Sequence, residues 1–109
     1  MAKTREEVLA LVREFRDHLV EVYGERLKGV YLYGSHARGE ATEDSDIDVA
    51  VVLGGDVDRG SEDRRLSDLI GDLSLRENCV LMPFFVSEEE LRTAPYALFR
   101  SMAREGVPV

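Results

Sequence analysis

Two neighbouring stretches carry the side chains whose types and spacing suit chemistry: Gly34-Ser35-His36-Ala37-Arg38-Gly39 and Ser45-Asp46-Ile47-Asp48. If the second opens a strand, Asp46 and Asp48 project from one side while Ile47 and Val49 turn to the core. Two carboxylates about 7 Å apart along a strand repel each other. A divalent cation relieves that repulsion, and an all-oxygen donor set suits Mg²⁺. Two such ions about 3.5–4 Å apart can clamp the attacking and leaving oxygens of an in-line phosphoryl displacement. In the first stretch, Gly34 stands where a strand ends and Ser35 opens a helical turn. Free amides and a hydroxyl there can hold phosphate oxygens. Arg38, one turn on, can grip a phosphate in bidentate fashion. Each feature alone has an ordinary explanation: a solvated strand edge for the acids, an N-cap for Ser35, a surface charge for Arg38. Their joint occurrence favours a site for phosphate and metal.

The elements that must position these residues are legible from periodicity. Thr4-Arg5-Glu6-Glu7 reads as a capping box, and Val8, Leu11, Val12, Phe15, Leu19 and Val22 recur at helical spacing up to Gly24. Gly29 to Tyr33 is β-branched and aromatic, a strand that stops at Gly34. Residues 35–45 form a loop or one short helix. Ile47 to Leu53 is the second strand, ended by Gly54-Gly55, and residues 56–60 form a flexible turn. Leu66, Leu69, Ile70 and Leu73 mark a helix from Ser61 to about Arg76. Val80 to Val86 is the third strand; Pro83 cannot donate to a ladder, which places this strand at an edge or a bulge. Ser87-Glu88-Glu89-Glu90 is a second capping box, opening a broken helix that runs to about Glu105, with Gly106 as its C′ residue. The order predicts an α/β (α+β) fold, a small mixed sheet packed with helices.

Length and composition agree. At 109 residues the chain falls in the range of one domain, residues 1–109, with material for one core. Hydrophobic residues at 44% and charged residues at 33% describe a globule rather than a disordered chain. The net charge of −8 argues against direct binding of nucleic acid, whose phosphates need clustered Lys and Arg. It fits better a basic protein partner, or a ligand whose negative charge arrives with metal ions. The lone Cys79 cannot form an internal disulfide, which fits a reducing compartment. The absence of a signal peptide after Met1 and of any run near the ~20 apolar residues of a bilayer span adds the expectation of a cytoplasmic protein without membrane contact.

Gly34-Ser35, ten residues, then Asp46-Ile47-Asp48 resembles the signature of the polymerase-β-like nucleotidyltransferase superfamily. The filling, Ala37-Arg38-Gly39 and Ser45, is similar to that of its smallest members, the minimal nucleotidyltransferases. The resemblance implies that Gly34, Ser35 and Ser45 bind the nucleotide, that Arg38 neutralises its triphosphate, and that Asp46 and Asp48 are the catalytic, Mg²⁺-ligating acids. It further implies transfer of AMP from ATP to an acceptor hydroxyl, and the role of an antitoxin paired with a HEPN-domain toxin, with homo- and hetero-oligomers both open. Active members carry a third carboxylate on a neighbouring strand. Here Val80 to Val86 contains no acid, and Glu77, just before it, is the only nearby candidate for a metal ligand. Two functions compete accordingly: a Mg²⁺-dependent enzyme acting on a partner protein, and a catalytically degenerate module that neutralises its partner by contact.

The remaining residues read as structural. His36 and His18 are assigned to structural or solvated positions, and Cys79 to the core, with no basic group flanking it. Tyr31 and Tyr33 share a strand face against a helix. Tyr96, Phe99 and Met102 form a core stripe on the last helix, with a partner groove as the alternative.

Overall fold

In the computed structural model, which describes residues 3–109, the Thr4 capping box forms as expected. The Glu7 amide donates to the Thr4 hydroxyl at 3.1 Å, and the Thr4 amide to the Glu7 carboxylate at 2.8 Å. Met1 and Ala2, on which the expectation about a leader partly rests, lie outside the described residues. The helix α1 (Arg5–Tyr23) buries Val8, Leu11, Val12, Phe15 and Leu19. The stripe ends one residue later than the spacing predicts: Tyr23 is buried and Val22 is 42% exposed. A 3-10 turn, Gly24–Arg26, leads into β1 (Leu27–Tyr33), which starts two residues before the predicted strand.

A short helix α2 (Ser35–Arg38) follows, and then β2 (Ile47–Leu53). The third helix, α3 (Arg59–Arg76), begins two residues earlier than expected because Asp58 caps it, accepting from the Ser61 amide at 3.1 Å. Of the stretch 56–60, expected as a turn, residues 56–58 are irregular and Arg59 and Gly60 already belong to the helix. The strand β3 runs Leu81–Ser87, then α4 (Glu88–Thr93) and α5 (Ala97–Glu105). Ser87 and Glu90 form the second capping box. Gly106 does not end α5 in a left-handed cap; its φ is −61° and the chain continues into β4 (Val107–Pro108), which the sequence reading missed. A Cβ at Gly106 would strike the Met102 carbonyl and crowd Tyr31, so close approach to β1 is the reason for glycine there.

The sheet is mixed, in the order β3-β2-β1-β4. The β1–β2 and β1–β4 pairs are antiparallel and β2–β3 is parallel, so β3, with Pro83, lies at an edge as expected. Strand alternation sorts β2 between two cores. Ile47, Val49, Val51 and Leu53 pack with α1 and α3 residues, while Ala50 and Val52 pack with Tyr33, Val86, Phe99 and Met102. Each fully buried large side chain such as Phe15 or Phe85 contributes about 1.5–3 kcal/mol by leaving water. Because β1 and β2 run antiparallel with Tyr33 opposite Asp48, the end of β1 and the start of β2 meet at one end of the sheet. That single topological fact brings the two sequence stretches together. Among the described residues, no helix is long and apolar enough to cross a membrane.

Candidate functional site

Asp48 lies on the face of β2 that carries Ala50 and Val52, and its buried neighbours Ile47 and Val49 point the other way. For Asp48 this is the alternation that the sequence predicts; Asp46 falls one residue before β2, outside the strand on which the spacing placed it. Gly34 caps α2 with φ +76°, a conformation that L side chains rarely adopt. A Cβ built on it would collide with the Asp48 carboxylate. Glycine is therefore required twice over: for the turn, and for the approach of the acid to the turn. No side chain caps the leading end of α2, so its first amides have no such partner at the turn that the carboxylate overhangs.

The electrostatics of the pair match its geometry. Burial pushes the Asp48 carboxyl above the ordinary value of 3.8, and the nearby Asp46 charge pushes it further. His36 and Arg38 pull it back, although neither salt-bridges it. Tyr33, cross-strand from Asp48, is pushed up to about 12 by burial and then by the Asp48 charge. A half-buried acid beside a second acid, with no ion pair to either among the described residues, is destabilised in its charged form. A hard cation would relieve it, and a donor set of two carboxylates suits Mg²⁺, which commonly binds one or two carboxylates and completes its shell with substrate phosphates and water. The residues present fit such an ion.

Other expected residues have partners of their own away from the acids' carboxylates. Ser45 has its hydroxyl engaged in the 40–46 loop, accepting from the Thr42 amide at 2.9 Å. Arg38 reaches two carboxylates, Glu40 and Glu105, rather than standing free. Glu77 caps the end of α3 and pairs with Lys3 at 3.8 Å and Arg76 at 3.1 Å. With Lys3, His36, Ser45, Ile47 and Cys79 it lines a polar cleft of about 210 Å³, which Asp46 and Asp48 do not line. No group of three potential metal-ligating side chains is found among the described residues, so the structure does not assemble Glu77 with the aspartates into a triad. On β3, Met82 and Phe84 stand beside Asp48 and Ala50 in the parallel register, and both are apolar.

Two structural assignments are corrected. Cys79 does have a basic neighbour, Lys3, but burial outweighs it and raises the thiol, leaving it a poor nucleophile. Tyr96 is 68% exposed, so only Phe99 and Met102 of the stripe are core. The partners of Arg38 were invisible to sequence reasoning. Glu105 is 67 residues away, and nothing in its local pattern marks it.

With this geometry established, similarity to known proteins becomes informative. Residues 12–101 match the family model described as a nucleotidyltransferase domain. A Methanocaldococcus jannaschii protein named "putative protein adenylyltransferase" is 35% identical over 87% of this chain and 90% of its own. A second protein of that organism with the same description is 27% identical over 71% of this chain and 77% of its own. The crystal structure of a "putative nucleotidyltransferase" from Sulfolobus solfataricus superposes with a TM-score of 0.68 at 21% identity, covering 95% of this chain and 80% of that one. A toxin–antitoxin structure with AMP-PNP superposes with a TM-score of 0.56 at 22% identity, covering 97% of this chain and 72% of that one. A variant of the MntA–HpeT toxin–antitoxin superposes at 0.55 and 19% identity, with the same coverage. These last three establish likeness of fold.

Proposed function

The chain belongs to the nucleotidyltransferase domain family, and from that premise we propose that it transfers AMP from ATP, with Mg²⁺, to a hydroxyl of a partner protein. The proposed setting is the antitoxin half of a pair whose other member is a HEPN-domain toxin. The observation that carries the reading is the Asp48 carboxylate lying against Gly34 at the head of α2, with Asp46 close enough to raise its pKa. The names of the relatives and the AMP-PNP complex of a structural neighbour support it.

In this reading the triphosphate lies along the Gly34-Ser35 turn, where the leading amides of α2 and the Ser35 hydroxyl receive its oxygens. Arg38 offsets its charge. The acceptor oxygen attacks the α-phosphorus, a new P–O bond forms, and the bond to the departing pyrophosphate breaks. The hydroxyl proton leaves to Asp48 or to solvent. Mg²⁺ held by Asp46 and Asp48 would supply charge stabilisation at the phosphates in that displacement. The chain's own contribution is to hold Asp48 on β2, whose opposite face is locked in the core, with Asp46 immediately before the strand.

A second reading has its own support. The apolar Met82 and Phe84 leave the sheet face beside the acids without a third carboxylate. A chain so built could bind nucleotide weakly and neutralise its partner by contact alone. Incubation with labelled ATP, Mg²⁺ and the protein encoded beside it separates the two. Transfer by the native chain that is lost in Asp46→Ala/Asp48→Ala supports the enzyme. Neutralisation that survives the double substitution, with no label moved, supports the contact module.

A further inference from the structure

Arg38 donates from Nε to Glu40 Oε2 at 2.9 Å and from Nη1 to Glu105 Oε2 at 3.1 Å. A guanidinium grips a phosphate through two parallel N–H groups, either Nε with one terminal nitrogen or the two terminal nitrogens together. One carboxylate sits on a donor of each edge. A phosphate fork on either edge calls on Nε or Nη1, so it competes with the carboxylate already bonded there.

The two carboxylates are not equivalent. Glu40 sits on the loop after α2 and its side chain is 65% exposed, whereas the Glu105 side chain is 23% exposed at the last position of α5. A carboxylate at the C-terminal end of a helix faces the negative end of the helix dipole, so it depends on a counter-ion. Arg38 at 3.1 Å is the nearer of its two counter-ions, Arg104 standing at 3.9 Å. Withdrawing Arg38 to a phosphate would leave Glu105 with the more distant Arg104 alone. Just beyond it the chain passes Gly106 and pairs through β4 with Tyr31 and Leu32 of β1, the strand that ends at the Gly34 turn.

We infer that Glu105 is a competing counter-ion for Arg38, a residue that weakens the site's hold on an anionic triphosphate by occupying the Nη1 donor that a phosphate would use. This rests on the proposed nucleotide site and adds to it a residue outside the motif.

Calorimetric titration of Mg·ATP into the native chain, Glu105→Gln, Arg38→Ala and the double variant tests it. Glu105→Gln keeps the shape and removes the charge; it should tighten Kd about three- to fivefold, the range of an exposed ion pair. The gain should shrink as salt rises from 0.05 to 0.5 M, as screening requires, and vanish in the Arg38→Ala background. Glu105→Asp, which shortens the reach, should tighten binding in the same direction and serves if the Gln variant does not fold. Native binding that Glu105→Gln leaves unchanged or weakens overturns the inference while the nucleotide reading stands. A gain that persists without Arg38 also overturns it. If neither the native chain nor Glu105→Gln takes up Mg·ATP, the nucleotide reading falls first and this inference with it.

Discussion

Glu62 and Asp48 are both acids drawn into the protein, and their surroundings are opposite. Glu62 is 5% exposed and fully matched: Tyr23 donates its hydroxyl at 2.9 Å, Arg26 pairs at 3.3 Å and Arg65 at 3.8 Å. Arg26 also ties Gly54 and Asp56 through their carbonyls, so that corner fastens α1, α3 and the end of β2 into one unit. Asp48 has a second acid as neighbour, and no base salt-bridges it among the described residues. Buried charge is tolerated where it is paired, and an unpaired charge is retained where something outside the chain completes it. The first acid builds the fold; in the proposed function the second meets a ligand.

Substitutions at the two acids break that comparison most directly. Asp46→Ala/Asp48→Ala should reduce AMP transfer at least about a hundredfold while leaving the far-ultraviolet circular dichroism spectrum unchanged, because oxygen ligands for the cation are lost from a position that contributes little to packing. Gly34→Ala should come next. The φ of +76° and the collision with Asp48 should weaken nucleotide binding more than about tenfold. Gly39→Ala is the control: its φ is +75° but nothing lies within 4 Å of its Cβ, so it should lose only about 1–2 kcal/mol of stability. Equal effects of the two on nucleotide binding would deny that Gly34 is retained for contact with the acid.

Glu62→Gln should do the reverse of the aspartate variants. It leaves Arg26 and Arg65 without a charge partner in a buried corner, and should lower stability by about 1–3 kcal/mol in urea titration with nucleotide affinity unchanged. The smallest effect is the most diagnostic in sign. Asp48 has a folded pKa above its unfolded value, so the native state holds more protons between those two values and stability falls as pH rises through that window. Asp48→Asn should therefore raise Tm by about 1–4 °C at pH 8, with the advantage fading as pH falls through that window and lost below about pH 4. A variant that melts lower than the native chain at pH 8 would mean that the acid is satisfied within the fold.

The legibility of these features in the sequence follows from their range. Helix caps at Thr4 and Ser87, the alternation around Ile47 and Val49 and the edge position forced by Pro83 depend on neighbours within a few residues, so the sequence displays them. The start of α3 escaped because Asp58 looks like a turn residue beside Gly60, yet a side-chain cap serves both roles. The strand β4 escaped because two residues after a glycine carry no period. The acid pair and the glycine turn could be read as motifs, but their contact depends on the antiparallel register of Tyr33 with Asp48, which is tertiary. Arg38 was read as a free phosphate ligand because Glu105, its partner, is distant in sequence and adjacent only after α5 docks.

Titration of ATP into the native chain and into Asp48→Asn, each with and without Mg²⁺, tests the central claim most directly. Binding by the native chain that requires Mg²⁺ and weakens at least about tenfold in Asp48→Asn is the expected result. Equal affinity in the two proteins, or native affinity indifferent to Mg²⁺, would contradict the assignment of Asp48 as a cation ligand beside a nucleotide.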